Sequence, residues 1–140
     1  MSKAIEISRF YPYSSDKVWA ALTDAEALSE WLMPVEDFQL ELHQKFRFKT
    51  KPSPGFDGIV HCQIIELDAP KTIVYHWQGG GMKQPTTVRW QLKSIEDGTV
   101  VQLHHSGFMG IDGWIVKKIL TFGWRKITRK KLVAYLAKGS

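Results

Sequence analysis

Four histidines, His61, His76, His104 and His105, are the side chains best suited to proton transfer in this 140-residue chain, because imidazole titrates near neutral pH. None has an acid or nucleophile partner at a recognised motif spacing. His104 and His105 are neighbours on a predicted strand, so they point to opposite faces and cannot grip one metal ion together. His105 is expected to face inward, either as a base at a pocket wall or as a structural histidine hydrogen-bonded inside the fold. Cys62 is the sole cysteine. Neither a base nor a helix N-terminus is visible to lower its pKa, so it reads as a small buried apolar residue. Glu66 is a candidate base if it faces the interior, and Asp68 belongs to the turn before Pro70. Gly79-Gly80-Gly81 lacks the Gly-Lys-Ser/Thr sequel of a phosphate loop and reads as a hairpin tip. Catalytic residues, metal ligands and cofactors are therefore not assigned.

These side chains depend on a simple order of elements. Residues 3–10 alternate as a strand with one buried face, ended by Pro12. Ser14 or Ser15 caps a helix carrying Val18, Trp19, Ala21 and Leu22, and Asp24 opens a second short helix with Ala27, Leu28, Trp31 and Leu32. From Phe38 the period becomes two, through Leu40, Leu42, Phe46 and Phe48. Strands follow at 59–67, 72–78, 86–95 and 99–106, with Asp97-Gly98 as a tight turn. Residues 112–137 read as helical, broken or kinked at Gly123 into a short and a longer piece. The plan is α+β within a single domain, 1–140: a curved antiparallel sheet of about six to seven strands around a long C-terminal helix, with two short helices after the first strand.

A bent sheet is too wide for one helix to fill, so the plan implies a pocket lined from inward-facing positions. Alternation puts Val88, Trp90 and Leu92 on one face, with Val101, Leu103 and His105. Ile73, Tyr75 and Trp77 oppose Val74 and His76. Trp77, Trp90, Leu103, Trp124 and Thr128 are the expected pocket lining, and Trp31 and Phe108 are also expected to contact the ligand. His105 or Tyr75 would bind a ligand's polar end. Gly107-Phe108-Met109-Gly110 would form a lip of the opening.

In order along the chain, Ser14-Ser15-Asp16-Lys17-Val18-Trp19-Ala20-Ala21-Leu22-Thr23-Asp24, Trp31-Leu32-Met33-Pro34, Ile64-Ile65-Glu66-Leu67-Asp68-Ala69-Pro70, Val74-Tyr75-His76-Trp77, Gly98-Thr99-Val100-Val101, His105-Ser106-Gly107-Phe108, Gly123-Trp124 and Tyr135-Leu136 resemble the START-like (SRPBCC) superfamily. The nearest likeness is to the activator of heat-shock ATPase homologue subfamily. The resemblance implies a helix-grip fold with a hydrophobic cavity, in a superfamily that includes lipid carriers, polyketide cyclases and a co-chaperone domain. One departure stands out. The family places leucine four and seven residues after the Gly-Trp tryptophan, where this chain has Thr128 and Lys131, with Leu132 one position later. That implies a final helix shifted in register or more polar toward the pocket.

Charge is lopsided: residues 112–140 hold eight Lys or Arg against Asp112 alone. An acidic protein is a candidate partner for this end, through Lys117, Lys118, Arg125, Lys126, Arg129, Lys130 and Lys131, and a solvated helix face is the bland alternative. Nucleic acid is not expected, since no recognition helix or zinc motif is present. No run of about 20 apolar residues predicts a membrane span. The opening Met1-Ser2-Lys3-Ala4-Ile5-Glu6 lacks a signal-peptide core, so a cytoplasmic location is expected. The leading functional expectation is binding of a hydrophobic or aromatic small molecule, such as a lipid or polyketide, in the internal cavity. The alternatives are a cyclase- or hydrolase-type enzyme in the same cavity and a chaperone-regulating interaction domain.

Overall fold

Both short helices begin where the sequence supplies a side-chain cap. The Ser14 hydroxyl accepts from the Lys17 amide at 3.3 Å ahead of α1 (Ser15–Thr23), and Asp24 Oδ2 accepts from the Ala27 amide at 3.0 Å ahead of α2 (Ala25–Trp31). The computed structural model describes residues 4–79 and 82–138, with the side chains of residues 111 and 112 left out. The last two glycines of the 79–81 tip, Gly80 and Gly81, therefore lie outside the described residues.

β1 (Ile5–Tyr11) precedes the helices. β2 (Val35–Glu36), β3 (Lys45–Lys49), β4 (Ile59–Asp68), β5 (Thr72–Gln78), β6 (Thr86–Ile95) and β7 (Gly98–Ser106) follow. They form a seven-stranded antiparallel sheet in the order β1-β7-β6-β5-β4-β3-β2. Alternation sorts its faces as expected: Val88, Trp90 and Leu92 are buried while Arg89, Gln91 and Lys93 are exposed. The β6–β7 turn needs Gly98 for close approach, since a Cβ there would lie 2.4 Å from the Tyr11 carbonyl oxygen. The strand expected through Leu40 and Leu42 does not form. Asp37 and His43 adopt positive φ of 62° and 70°, and the chain between them turns on itself, leaving Leu40 and Leu42 exposed.

The C-terminal helix also differs from expectation. It runs from α3 (Gly110–Lys126) straight through Gly123, then through a wide π-helical turn (Ile127–Lys131) into α4 (Leu132–Lys138). Glycine costs only about 1 kcal/mol inside a helix, and Gly123 has open space around it, so nothing forces a break. The irregularity falls four residues later because the apolar sequence is out of step there. A π turn uses an extra residue per revolution. Lys131 consequently stays exposed and Leu132 rotates into the core, where Leu136 follows it. The single-residue offset of Leu132 is thus absorbed by the backbone. The turn is pinned from β1: the Tyr11 hydroxyl donates to the Thr128 carbonyl oxygen at 2.7 Å, and Arg9 Nε donates to the Thr128 hydroxyl at 3.2 Å.

Tyr11→Phe is expected to lower stability by about 1–3 kcal/mol, because the buried Thr128 carbonyl loses a donor. Urea denaturation of both proteins measures this, and an unchanged midpoint would mean that the turn holds without β1.

Candidate functional site

β5, β6 and β7 each send one aromatic or polar side chain inward to meet Trp124 from α3. The indole N–H of Trp124 donates to His105 Nδ1 at 3.0 Å. His105 Nε2 lies 2.7 Å from the Thr86 hydroxyl, which donates to the Trp77 carbonyl oxygen, also at 2.7 Å. An indole nitrogen can only donate. Nδ1 is therefore the acceptor, and Nε2 carries the proton and donates to the Thr86 hydroxyl oxygen, which in turn donates its own hydrogen to the Trp77 carbonyl. The directions in this chain are consistent, and both imidazole nitrogens are occupied.

Around the chain the rings interlock. Trp124 sits 5.3 Å from Trp77 and 5.5 Å from Trp90, and Trp90 meets Trp31 edge-on at 6.0 Å. His105 stacks against Phe108 at 4.7 Å. The Trp90 indole donates to the Tyr75 hydroxyl at 2.9 Å, and Leu103 lies opposite Trp90 in the ladder. The expected site residues therefore come together as one cluster. Thr128 joins it through its hydroxyl, which donates to the Trp124 carbonyl oxygen at 2.8 Å. Among the described residues no buried side-chain nitrogen or oxygen lacks a partner. Arg125 faces solvent rather than the interior.

Desolvation sets the chemistry. It pushes the His105 pKa down to about 3, helped by the adjacent His104, and it pushes the Cys62 thiol and the Tyr75 phenol up, away from their charged forms. Protonating His105 would also set an N–H against the Trp124 N–H. Of the other candidate bases, His61 and Glu66 are exposed and His76 and His104 half-buried. No group of three or more His, Cys, Asp or Glu side chains suitable for a metal occurs among the described residues.

Open space lies at the outer end of the cluster, between the start of β6 and the start of α3. A cleft of about 670 Å³ is lined there by Met82, Lys83, Gln84, Thr86, Gly107, Phe108, Met109, Gly110, Gly113 and Val116. Phe108 joins it to the interior, with its ring on the cleft side of His105. Gly113 keeps the helix against this segment, since a Cβ there would lie 3.1 Å from the Phe108 backbone. Sequence reasoning passed over Thr86, Met82 and Val116. For Thr86 a signal was present: it shares the inward face of β6 with Val88 and Trp90, so a hydroxyl was due beside inward His105.

Residues 12–137 match the family model for Activator of Hsp90 ATPase homolog 1-like protein. No curated protein matches the sequence. Among solved structures, a Mesorhizobium loti protein is similar at 21% identity and a TM-score of 0.86, covering 98% of each chain. An HSP90 activator from Plasmodium falciparum is similar at 24% identity and a TM-score of 0.62, over 75% of this chain and 73% of that one. The Aha1 dimer from Colwellia psychrerythraea is similar at 20% identity and a TM-score of 0.72, over 91% of each chain. At these identities the likeness is one of fold.

The depressed pKa of His105 ties stability to pH. The unfolded chain takes up a proton at His105 below about pH 6.5 and the folded chain does not, so acid favours unfolding. His105 alone is expected to remove about 1.4 kcal/mol per pH unit as pH falls from roughly 6.5 toward 4. Denaturation at several pH values should show a shallower slope in His105→Gln, whose amide can still accept from Trp124 and donate to Thr86. Equal slopes would contradict a buried neutral imidazole.

Proposed function

The chain belongs to the Activator of Hsp90 ATPase homolog 1-like family, and on that premise we propose that it is a non-catalytic binding protein for a hydrophobic or aromatic small molecule such as a lipid or polyketide. The observation that carries this reading is the cleft of about 670 Å³ ending on Phe108, a volume within the usual range for small-molecule sites. Met82, Phe108, Met109 and Val116 supply apolar wall. The ligand's polar end goes to Lys83 or Gln84 at the rim, because the polar atoms of His105 and Tyr75 are already engaged inside. In this reading Phe108 touches the ligand and Trp77, His105 and Trp124 form the layer behind it. Trp31, Tyr75, Trp90, Leu103 and Thr128 hold that layer in place.

The occupied nitrogens of His105 and the outward position of Glu66 weigh against the cyclase or hydrolase alternative, which needs a free base at the pocket wall. A cytoplasmic location suits the lone buried thiol of Cys62. An acidic protein partner is the second reading, favoured by the exposed cations Arg125, Lys126, Arg129 and Lys130, none of them ion-paired among the described residues.

Titration calorimetry against a panel of fatty acids and polyphenols tests the cleft. A binder is expected to lose at least roughly tenfold in affinity with Phe108→Ala, for the apolar contact removed, and to be excluded by Val116→Trp, which plugs the space. Absence of any binder, or equal binding to the plugged variant, would overturn the proposal.

A further inference from the structure

α3 is apolar on both sides. Its inner side packs Leu120 and Trp124 against the core. Its outer side leaves Trp114, Ile115, Ile119 and Phe122 exposed, at 57%, 47%, 65% and 75%. At 100° per residue these four fall within an arc of about 140°, and Lys118, Arg125 and Lys126 fall within the same arc. Four large apolar side chains on one outward helix face are not an ordinary solvated surface.

The geometry points to an anionic lipid bilayer as what covers this face: α3 lies flat on the membrane surface with its outer side in the headgroup boundary. Three observations favour that occupant. First, the cations are poorly compensated: α3 holds Lys117, Lys118, Arg125 and Lys126 against Asp112 alone. Residues 113–140 contain no Asp or Glu, and Lys118, Arg125 and Lys126 make no ion pair among the described residues. A second copy of the chain packed through this face would bring like charges together, so self-association is disfavoured.

Second, the cations stand among the apolar groups rather than apart from them. The Lys118 ammonium lies 4.3 Å above the Trp114 ring. An acidic protein would satisfy the charges but leaves the exposed Ile and Phe unexplained. A bilayer interface takes both, with aromatic and aliphatic tips entering the acyl boundary and long basic side chains reaching phosphates. A shallow hollow of about 270 Å³ between Trp114, Thr121, Phe122 and Arg125 offers room for part of a lipid. Third, no described helix is long and apolar enough to cross a membrane, so the proposed contact has α3 in the plane of the interface rather than across it. Met109, exposed at the start of α3, also lines the small-molecule cleft, so docking brings the cleft mouth beside the bilayer. The docking itself does not require that the cleft bind anything.

Co-sedimentation of the full chain with phosphatidylglycerol–phosphatidylcholine vesicles tests this, with pure phosphatidylcholine vesicles as the neutral arm. Binding is expected to the anionic vesicles only. Trp114 is the exposed tryptophan and the other five are buried, so tryptophan emission should shift to the blue on binding and fail to shift in Trp114→Phe. The Ile119→Ser/Phe122→Ser variant should bind roughly a hundredfold more weakly, given the apolar area withdrawn from the interface. Lys118→Glu/Arg125→Glu/Lys126→Glu should abolish binding, and Val116→Trp should leave it unchanged. These side chains are exposed apart from Val116, and circular dichroism verifies that each variant is folded. No binding to anionic vesicles would overturn the proposal. So would binding indifferent to Ile119→Ser/Phe122→Ser, which is the behaviour of a charge-only surface suited to an acidic protein, or a dimer that the same variant dissociates.

Discussion

A hydrogen-bond chain crosses the buried core and ties the covering helix to the sheet. It runs from Trp124 of α3 through His105 of β7 and Thr86 of β6 to the Trp77 carbonyl of β5. Each of these groups would be costly to bury alone, and each is tolerated because the next accepts or donates correctly. The indole's inability to accept fixes the imidazole tautomer, and the tautomer fixes the hydroxyl. Trp124 is thereby held at one place over the sheet, and the rings of Trp77, Trp90 and Phe108 pack against that fixed group.

The same chain explains why the most conspicuous candidate base is not available for chemistry. A general base needs a lone pair aimed at substrate. The Nδ1 lone pair of His105 is aimed at Trp124, and desolvation keeps the ring neutral. The open volume lies at the end of the cluster, where Phe108 covers the imidazole and the sheet and helix diverge into a cleft. The fold therefore separates a locked interior from an open margin. The buried polar groups inside serve rigidity, while the apolar and cationic side chains at the margin and on the outer face of α3 are the ones free to meet something else.

The π turn is the other accommodation. Trp124 must stay where His105 holds it, and Leu132 must reach the core. A regular helix between them would present Lys131 instead. Widening one turn satisfies both anchors, and Tyr11 secures the result from the far edge of the sheet. The outer face of α3, upstream of this turn, is left with its apolar residues pointing away from the sheet because the inner face is already filled.

By itself the sequence determined the element order, most strand bounds, the helix caps and the inward faces of β6 and β7, because strand alternation and capping are local and leave a periodic trace. It also marked Trp77, Trp90, His105 and Trp124 as neighbours-to-be, through their faces. It misled at Leu40 and Leu42, where alternation persisted through residues that positive φ angles turn into a loop, and at Gly123, where helix continuity depends on packing rather than on one weak former. Only the tertiary structure decided which nitrogen of His105 carries a proton, whether the aromatic rings line a space or fill it, where the open volume lies, and which side of α3 meets water. Those outcomes depend on side chains brought together from positions as far apart as Tyr11 and Thr128, and no local pattern encodes the distance between them.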